Sequence, residues 1–302
     1  MDEPEFTVVR LRGEEEALEL PSFWRKFRGK TAQKIKYRWL MWRLPLACGE
    51  LICLNQCGEE IWLPFTREDL AAYSNEELTD MLHRIIIEKG AQNMVVDKLL
   101  EPYLEKGLRI DGRLMPLLML KEIVSFVCRK HQISWRELRP VVIAGEAEAT
   151  RWTLNCLGDQ LNRLTIVTKE PGAYESFARY SYEENGLLVS IRPRPVTADL
   201  YGNLVIELDP CREKDYLYYR SGSIVLNLSG NRYRTLDACI RRKDLICYNR
   251  FDIRADGVLW DNRILQAVIY KTATAFGAGQ LGEGSKIKDL YGFAVEKTGL
   301  ES

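Results

Sequence analysis

Pro140-Val141-Val142-Ile143-Ala144-Gly145-Glu146-Ala147-Glu148-Ala149-Thr150 is the stretch that decides the fold. An unbroken apolar run is followed by a glycine, and then by residues that favour helix. A strand apolar at every position is buried on both faces, which is the mark of a parallel sheet covered by helices. The same alternation continues downstream. Glu146 to Leu161 has a helical pattern, and Leu164 to Thr168 reads as a second strand. Tyr174 to Glu184 reads as a helix stopped at Gly186, with Leu187 to Ile191 as a third strand. Leu204 to Leu208, Ile224 to Leu228 and a short Leu245 to Cys247 add three more strands, with a helix over Thr235 to Arg242. Parallel neighbours need long crossovers, and these spacings allow them. The fold class expected is α/β, a doubly wound, mostly parallel sheet in the C-terminal half, preceded by a smaller α+β domain.

Upstream, apolar runs on either side of Asn55 to Gly58, within Cys48 to Phe65, read as a β-hairpin. Thr66 to Asp69 and Ser74 to Glu77 read as helix starts, the second a capping box. Helices are expected from Asn75 to Gly90, over Met94 to Lys106 and over Leu114 to Lys130, and a short turn at Ser134 to Glu137. Two final helices, Asn262 to Phe276 and Lys286 to Lys297, flank a glycine-rich joint. The domains expected are 1–133 (α+β), 134–260 (the doubly wound sheet) and 261–302, helices placed to pack back on the first domain.

This strand pattern resembles the Rossmann-like, NAD(P)-binding-type superfamily. A mixed first domain, then such a sheet, then returning helices is similar to the plan of the shikimate dehydrogenase and glutamyl-tRNA reductase relatives. The resemblance covers residues 138–250 and implies a ligand at the carboxyl ends of the strands, where strand order reverses. Aligned with the dinucleotide fingerprint G-x-G-x-x-G, the first turn places Gly145, Ala147 and Thr150 at the three glycine positions. Ala147 adds a methyl where backbone approaches a pyrophosphate, and Thr150 is bulky where helix meets strand. Glu146 and Glu148 bring negative charge to a helix amino end that would otherwise favour an anion. The second strand ends Thr168-Lys169-Glu170, where Lys169 suits a 2′-phosphate and Glu170 a ribose. The cofactor-binding positions implied are Gly145, Glu146, Ala147, Thr168, Lys169, Asp209 and Asn227. Asp209 and Asn227 also read as residues that cap turns.

No catalytic residue is assigned. The only histidines are His83 and His131, so a histidine-dependent triad or metal centre in the C-terminal half is excluded. Cys48, Cys53 and Cys57 lack the paired spacing and histidines of a zinc site, so no metal is expected and the cysteines read as buried free thiols. The formal net charge is zero, from 43 basic and 43 acidic residues, which excludes a whole-chain attraction to nucleic acid or anionic membrane. The longest apolar stretch, Leu114 to Leu120, is far short of the roughly 20 residues that span a bilayer. The amino terminus is acidic, unlike a targeting peptide. A cytoplasmic protein with no membrane partner is expected. Residues 24–43 carry eight basic residues and no acid, interleaved with five aromatics. They read as an amphipathic face whose aromatics enter the core, or as a nucleic-acid or acidic-partner surface through Arg25, Lys26, Lys34 and Lys36. The leading expectation is a degenerate Rossmann-like module for a non-standard ligand or partner. The alternatives are an NAD(P)-dependent oxidoreductase with a divergent phosphate turn, and binding through residues 24–43.

Overall fold

The computed structural model of the chain describes residues 4–12, 35, 47–54, 56–63, 66–71, 73–89, 93–105, 110, 112–194, 196, 198–209, 214–255, 258–272 and 290–294. The chain divides into two compact units, Met1–Gly112 with Trp260–Lys286, and Arg113–Leu259 with Ile287–Ser302. Residues 24–43, Ile35 apart, and the joint at 277–284 lie outside the described residues.

In the first unit, β1 (Phe6–Leu11), β2 (Ala47–Cys53), β3 (Gln56–Leu63) and β4 (Met94–Val96) form a sheet in the order β2-β3-β1-β4. β2 and β3 are the hairpin, antiparallel, with Leu54 at φ 51° in its turn. β1 runs parallel to β3 and to β4. α1 (Arg67–Leu70) starts where Asp69 accepts from the Thr66 amide and hydroxyl. α2 (Asn75–Lys89) starts in a reciprocal capping box, Ser74 with Glu77. Its stripe Leu78, Met81, Leu82 and Ile85 meets Val9, Ile61, Leu63, Met94 and Val96 in the core. The helix expected over 94–106 is corrected: Met94–Val96 is a strand and only Glu101–Tyr103 makes a 3₁₀ turn. Val95 and Val96 are stiff at χ1 and suit a sheet. Beside β1 all three strand residues are buried. The burial expected of every cysteine is also corrected. Cys48 on the edge strand and Cys57 beside the hairpin turn are exposed.

The next elements in chain order are α3 (Leu114–Leu118), α4 (Leu120–His131), β5 (Pro140–Ile143), α5 (Ala147–Gly158), β6 (Arg163–Thr168), α6 (Glu175–Asn185) and β7 (Leu188–Pro193). They are followed by β8 (Leu204–Glu207), β9 (Ile224–Asn227), α7 (Arg232–Arg241), β10 (Ile246–Ala255), β11 (Val258–Trp260), α8 (Asn262–Thr272) and β12 (Leu290–Ala294). The sheet order is β11-β10-β9-β8-β5-β6-β7, with β12 against β10. From β7 to β10 every neighbouring pair is parallel. Counted from β5, that order is the 3-2-1-4-5-6 of the Rossmann fold. Val142 pairs with Ile166, Val141 with Val205, and Val205 with Val225. This unit is therefore a doubly wound, Rossmann-like α/β domain.

Three further expectations change. The single helix over 114–130 breaks at Met119 (φ −94°, ψ 14°) into α3 and α4. These two helices fall within the second compact unit, which begins at Arg113. Trp152 Nε1 of α5 donates to the Leu117 carbonyl (2.9 Å) and ties α3 to α5. β10 runs to Ala255, well beyond a short 245–247 strand. The helix expected over 286–297 contains β12 instead, antiparallel to β10. Tyr291 and Phe293 favour strand, and Gly292 weakens a helix.

α6 ends at Gly186, whose φ of 67° a side chain would strain. The crossover from β7 to β8 holds no helix among its described residues; Val196 and Leu200 instead press into the core against Val141, Val167 and Val205. In the first unit, α8 lies against β1 and β4. Arg263 at its start donates to the Val96 carbonyl (2.8 Å) and to Glu101 Oε1 (2.7 Å). No helix among the described residues is long and apolar enough to cross a membrane.

Ile143 and Ile166 are fully buried in neighbouring parallel strands. Either isoleucine changed to alanine is expected to cost about 2–5 kcal/mol in urea unfolding followed by circular dichroism. Leu188→Ala, on the half-exposed edge strand, is expected to cost under about 0.5 kcal/mol. Equal costs at all three sites would contradict a sheet buried at its centre and open at this edge.

Candidate functional site

The site begins where β5 gives way to α5. The Gly145 backbone passes so close to the end of β8 that a β-carbon there would lie 2.5 Å from the Leu208 carbonyl oxygen and 3.0 Å from the Asp209 nitrogen. Only glycine fits. Thr150, where the fingerprint has its third glycine, is fully buried and occupies the turn from within. Its hydroxyl accepts from the Gly145 amide (3.1 Å) and donates to the Glu146 carbonyl (2.9 Å). The Glu146 side chain does not cap α5, so the first-turn amides of the helix receive no side-chain acceptor from their N-cap.

Across the turn, Thr168 closes β6. Its hydroxyl accepts from the Glu170 amide (3.1 Å), which bends the chain into the 3₁₀ turn Pro171–Tyr174. These segments enclose a cavity of about 340 Å³. Six of the seven positions chosen from sequence line it: Gly145, Glu146, Ala147, Thr168, Lys169 and Asp209. Arg151, Glu170, Ala173 and Tyr174 complete the wall. Arg151 lies one helical turn beyond Ala147, so its i+4 spacing was a usable signal.

Asn227, the seventh position, does not line this cavity. It is buried and holds a turn. Its amide nitrogen donates to the Asn231 carbonyl (2.9 Å) and the Thr235 hydroxyl (2.6 Å), and its oxygen accepts from the Ser229 amide (3.0 Å) and hydroxyl (2.6 Å). Those bonds take up both donors and the acceptor.

Behind Asp209 stands a buried charge network that the sequence did not reveal. Arg194, with no exposed side-chain surface, pairs with Asp209 and with Asp215 Oδ2 (2.6 Å). Arg234 pairs with Glu207 Oε1 (3.0 Å) and lies 3.6 Å from Asp215. The Tyr219 hydroxyl donates to Glu207 Oε1 (2.7 Å). Burial and the neighbouring Glu207 charge hold the Tyr219 pKa well above its ordinary value. Burial opposes the Arg234 charge, but Glu207 and Tyr219 more than offset it, so its pKa is raised.

A full dinucleotide does not suit these residues. The second fingerprint glycine is Ala147, the Gly145 amide is taken by Thr150, and Asp209 at the end of β8 is tied to Arg194. A dinucleotide spans the point where strand order reverses, between β5 and β8.

No protein-family model matches the chain, and no curated protein sequence matches it. Among solved structures, 5-ketofructose reductase of Gluconobacter sp. strain CHM43 is similar at 11% identity, over 90% of this chain and 92% of its own, with a TM-score of 0.39. L-tryptophan dehydrogenase from Nostoc punctiforme is similar at 11% identity, over 81% and 70%, with a TM-score of 0.37. A chorismate mutase/shikimate 5-dehydrogenase fusion protein from Clostridium acetobutylicum is similar at 12% identity, over 90% of each chain, with a TM-score of 0.35. Overlaps this loose carry no weight about function, and the Rossmann-like assignment rests on the strand order of this chain itself.

Gly145→Ala is expected to destabilise the second unit sharply, because the clash is with backbone. Thr150→Val keeps the shape but leaves the Gly145 amide without its acceptor, an expected loss of about 1–3 kcal/mol. Chemical unfolding of both variants checks this, and a neutral Gly145→Ala would refute the close approach.

Tyr219 sets an alkaline limit. Below its ordinary pKa of about 10 the hydroxyl is neutral both folded and unfolded. Above that, the unfolded chain ionises first and binds fewer protons, so stability falls as pH rises. Tyr216 adds to the effect, since burial and then its bond to Asp237 push it up to about 12. Melting temperatures from pH 9 to 11 should fall more steeply in the parent than in Tyr219→Phe, and identical slopes would exclude Tyr219 as the cause.

Proposed function

We propose that the second unit is a ligand-binding module for a single nucleotide, held by its ribose and phosphate over the amino end of α5. The observation that carries this reading is the convergence of two cationic side chains, Arg151 and Lys169, with that helix end around one cavity. The helix end has no side-chain cap from Glu146, and its amide groups, with Arg151 and Lys169, favour an anion against the negative charge of Glu146 and Glu148. Glu170, just past the end of β6, stands where a carboxylate accepts from ribose hydroxyls. The cavity is at the low end of the 300–1,000 Å³ typical of small-molecule sites, which suits one nucleotide better than two. The described cysteines are free thiols, which supports a reducing, cytoplasmic setting.

The second reading is NAD(P)-dependent oxidoreduction with a divergent phosphate turn. Lys169 and Glu170 favour it at the ribose end. The Arg194–Asp209 pair opposes it at the end of β8.

Thermal shift and calorimetry with nucleoside monophosphates, NAD and NADP separate the two. A mononucleotide at 100 times its Kd should stabilise the chain by about 2.7 kcal/mol, and Arg151→Glu with Lys169→Glu should abolish the effect. No stabilisation by any nucleotide at millimolar concentration would end the proposal. Tenfold tighter binding of NAD or NADP than of any mononucleotide would replace it with the oxidoreductase reading.

A further inference from the structure

A second cavity, about 500 Å³, lies on the same sheet and reaches from the amino ends of its strands up to Arg192 near the carboxyl end of β7. It crosses the amino ends of β5, β6 and β7 and the approach to β8. Arg139 immediately precedes β5, Arg163 opens β6, and Arg192 lies in β7, so three successive strands each bring one guanidinium to its wall. All three are exposed, and no carboxylate pairs with any of them among the described residues. No acidic residue lines the cavity. Tyr201, 76% exposed, stands at its β8 side, and Leu188 and Ser190 line its β7 side.

The β7–β8 crossover carries no helix among its described residues, and Leu200, Tyr201 and Gly202 at its end line the groove. In a doubly wound sheet such a helix would cover this face. Here Val196 and Leu200 of the crossover enter the core. Neighbouring strands lie about 4.8 Å apart. Arg192 is opposite Val167, four residues along from the Arg163–Leu188 pair, and so about 13 Å further up the sheet. The cations are thus spread over a surface longer than one phosphate group.

We propose that this face binds a segment of single-stranded nucleic acid, its phosphates on Arg139, Arg163 and Arg192 and a base stacked on Tyr201. Spaced cations without acidic neighbours, beside an exposed aromatic ring, are the features by which proteins hold single strands with little regard to sequence. The groove lies across the face of several strands and not along the free edge of β7, where an acidic peptide would add as a further strand. The fold rule that places nucleotides at the carboxyl ends does not account for it.

The test is fluorescence anisotropy of the full chain with a fluorescein-labelled ten-nucleotide oligo-uridine at increasing salt. Binding should weaken linearly on logarithmic axes. Arg163→Glu with Arg192→Glu should weaken it more than tenfold and reduce the slope by about 1.4, at about 0.7 for each phosphate no longer neutralised. Tyr201→Ala should weaken it at least about fivefold at every salt concentration with the slope unchanged. This second variant decides the matter should the double arginine variant fail to fold by circular dichroism. Arg151→Glu with Lys169→Glu, which disrupts the proposed nucleotide site, should leave oligonucleotide binding intact. The proposal is overturned by absent binding, or by groove variants that bind like the parent. It is also overturned if Lys34→Glu with Lys36→Glu alone abolishes binding, or if an oligo-glutamate peptide of equal charge binds as tightly as the oligonucleotide.

Discussion

A strand buried on both faces can satisfy its backbone N–H and C=O groups only through the strands beside it. From Pro140 onward that requirement governs the second unit. β5 is buried at every position and is hydrogen-bonded to β6 on one side and β8 on the other. Parallel pairing brings the carboxyl ends of all three strands to one edge, where the chain leaving β5 must turn beneath Leu208. The packing there explains Gly145 by itself. The surviving glycine of the fingerprint is demanded by the fold, so the case for a ligand rests on the side chains around it.

Charge is used in two opposite ways in this unit. Arg194 and Arg234 are sunk among Glu207, Asp209, Asp215 and Tyr219, and removing a charge from water is costly unless every partner is in place. This network fastens the β7–β8 crossover, the segment before β9 and the start of α7 to the end of β8. Arg139 and Arg163 at the amino ends of β5 and β6, and Arg192 near the carboxyl end of β7, stay in water with no counter-charge among the described residues. Neither pattern is visible in a composition whose basic and acidic residues cancel.

The sheet was legible because its strands are short apolar runs bounded by turn residues, and Val141, Ile166, Val205 and Val225 fall in it as their pattern requires. β4 was misread because Met94-Val95-Val96 is followed by leucines at helical spacing. Its strand character comes from β1, a partner 87 residues away in the chain (Val8 opposite Val95). β12 was misread for a similar reason, since pairing with β10 overrides the local pattern. Most of the cavity lining could be read from position in the fold, because the sheet topology fixes which turns meet. Asn227 could not be separated from it, since an asparagine that staples a turn and one that faces a ligand occupy the same place after a strand. The arginine network stayed hidden because its members meet only after folding.

α8 belongs with the first sheet, although the whole of β5 to β10 is synthesised before it. Domains emerging from a ribosome ordinarily fold in the order in which they are made. Here β1 and β4 wait for a covering helix that begins at Asn262, with the apolar side chains that will meet it still exposed to water. The first unit is therefore completed only after most of the second has been made, and the second in turn waits for β12, which follows α8 in the chain.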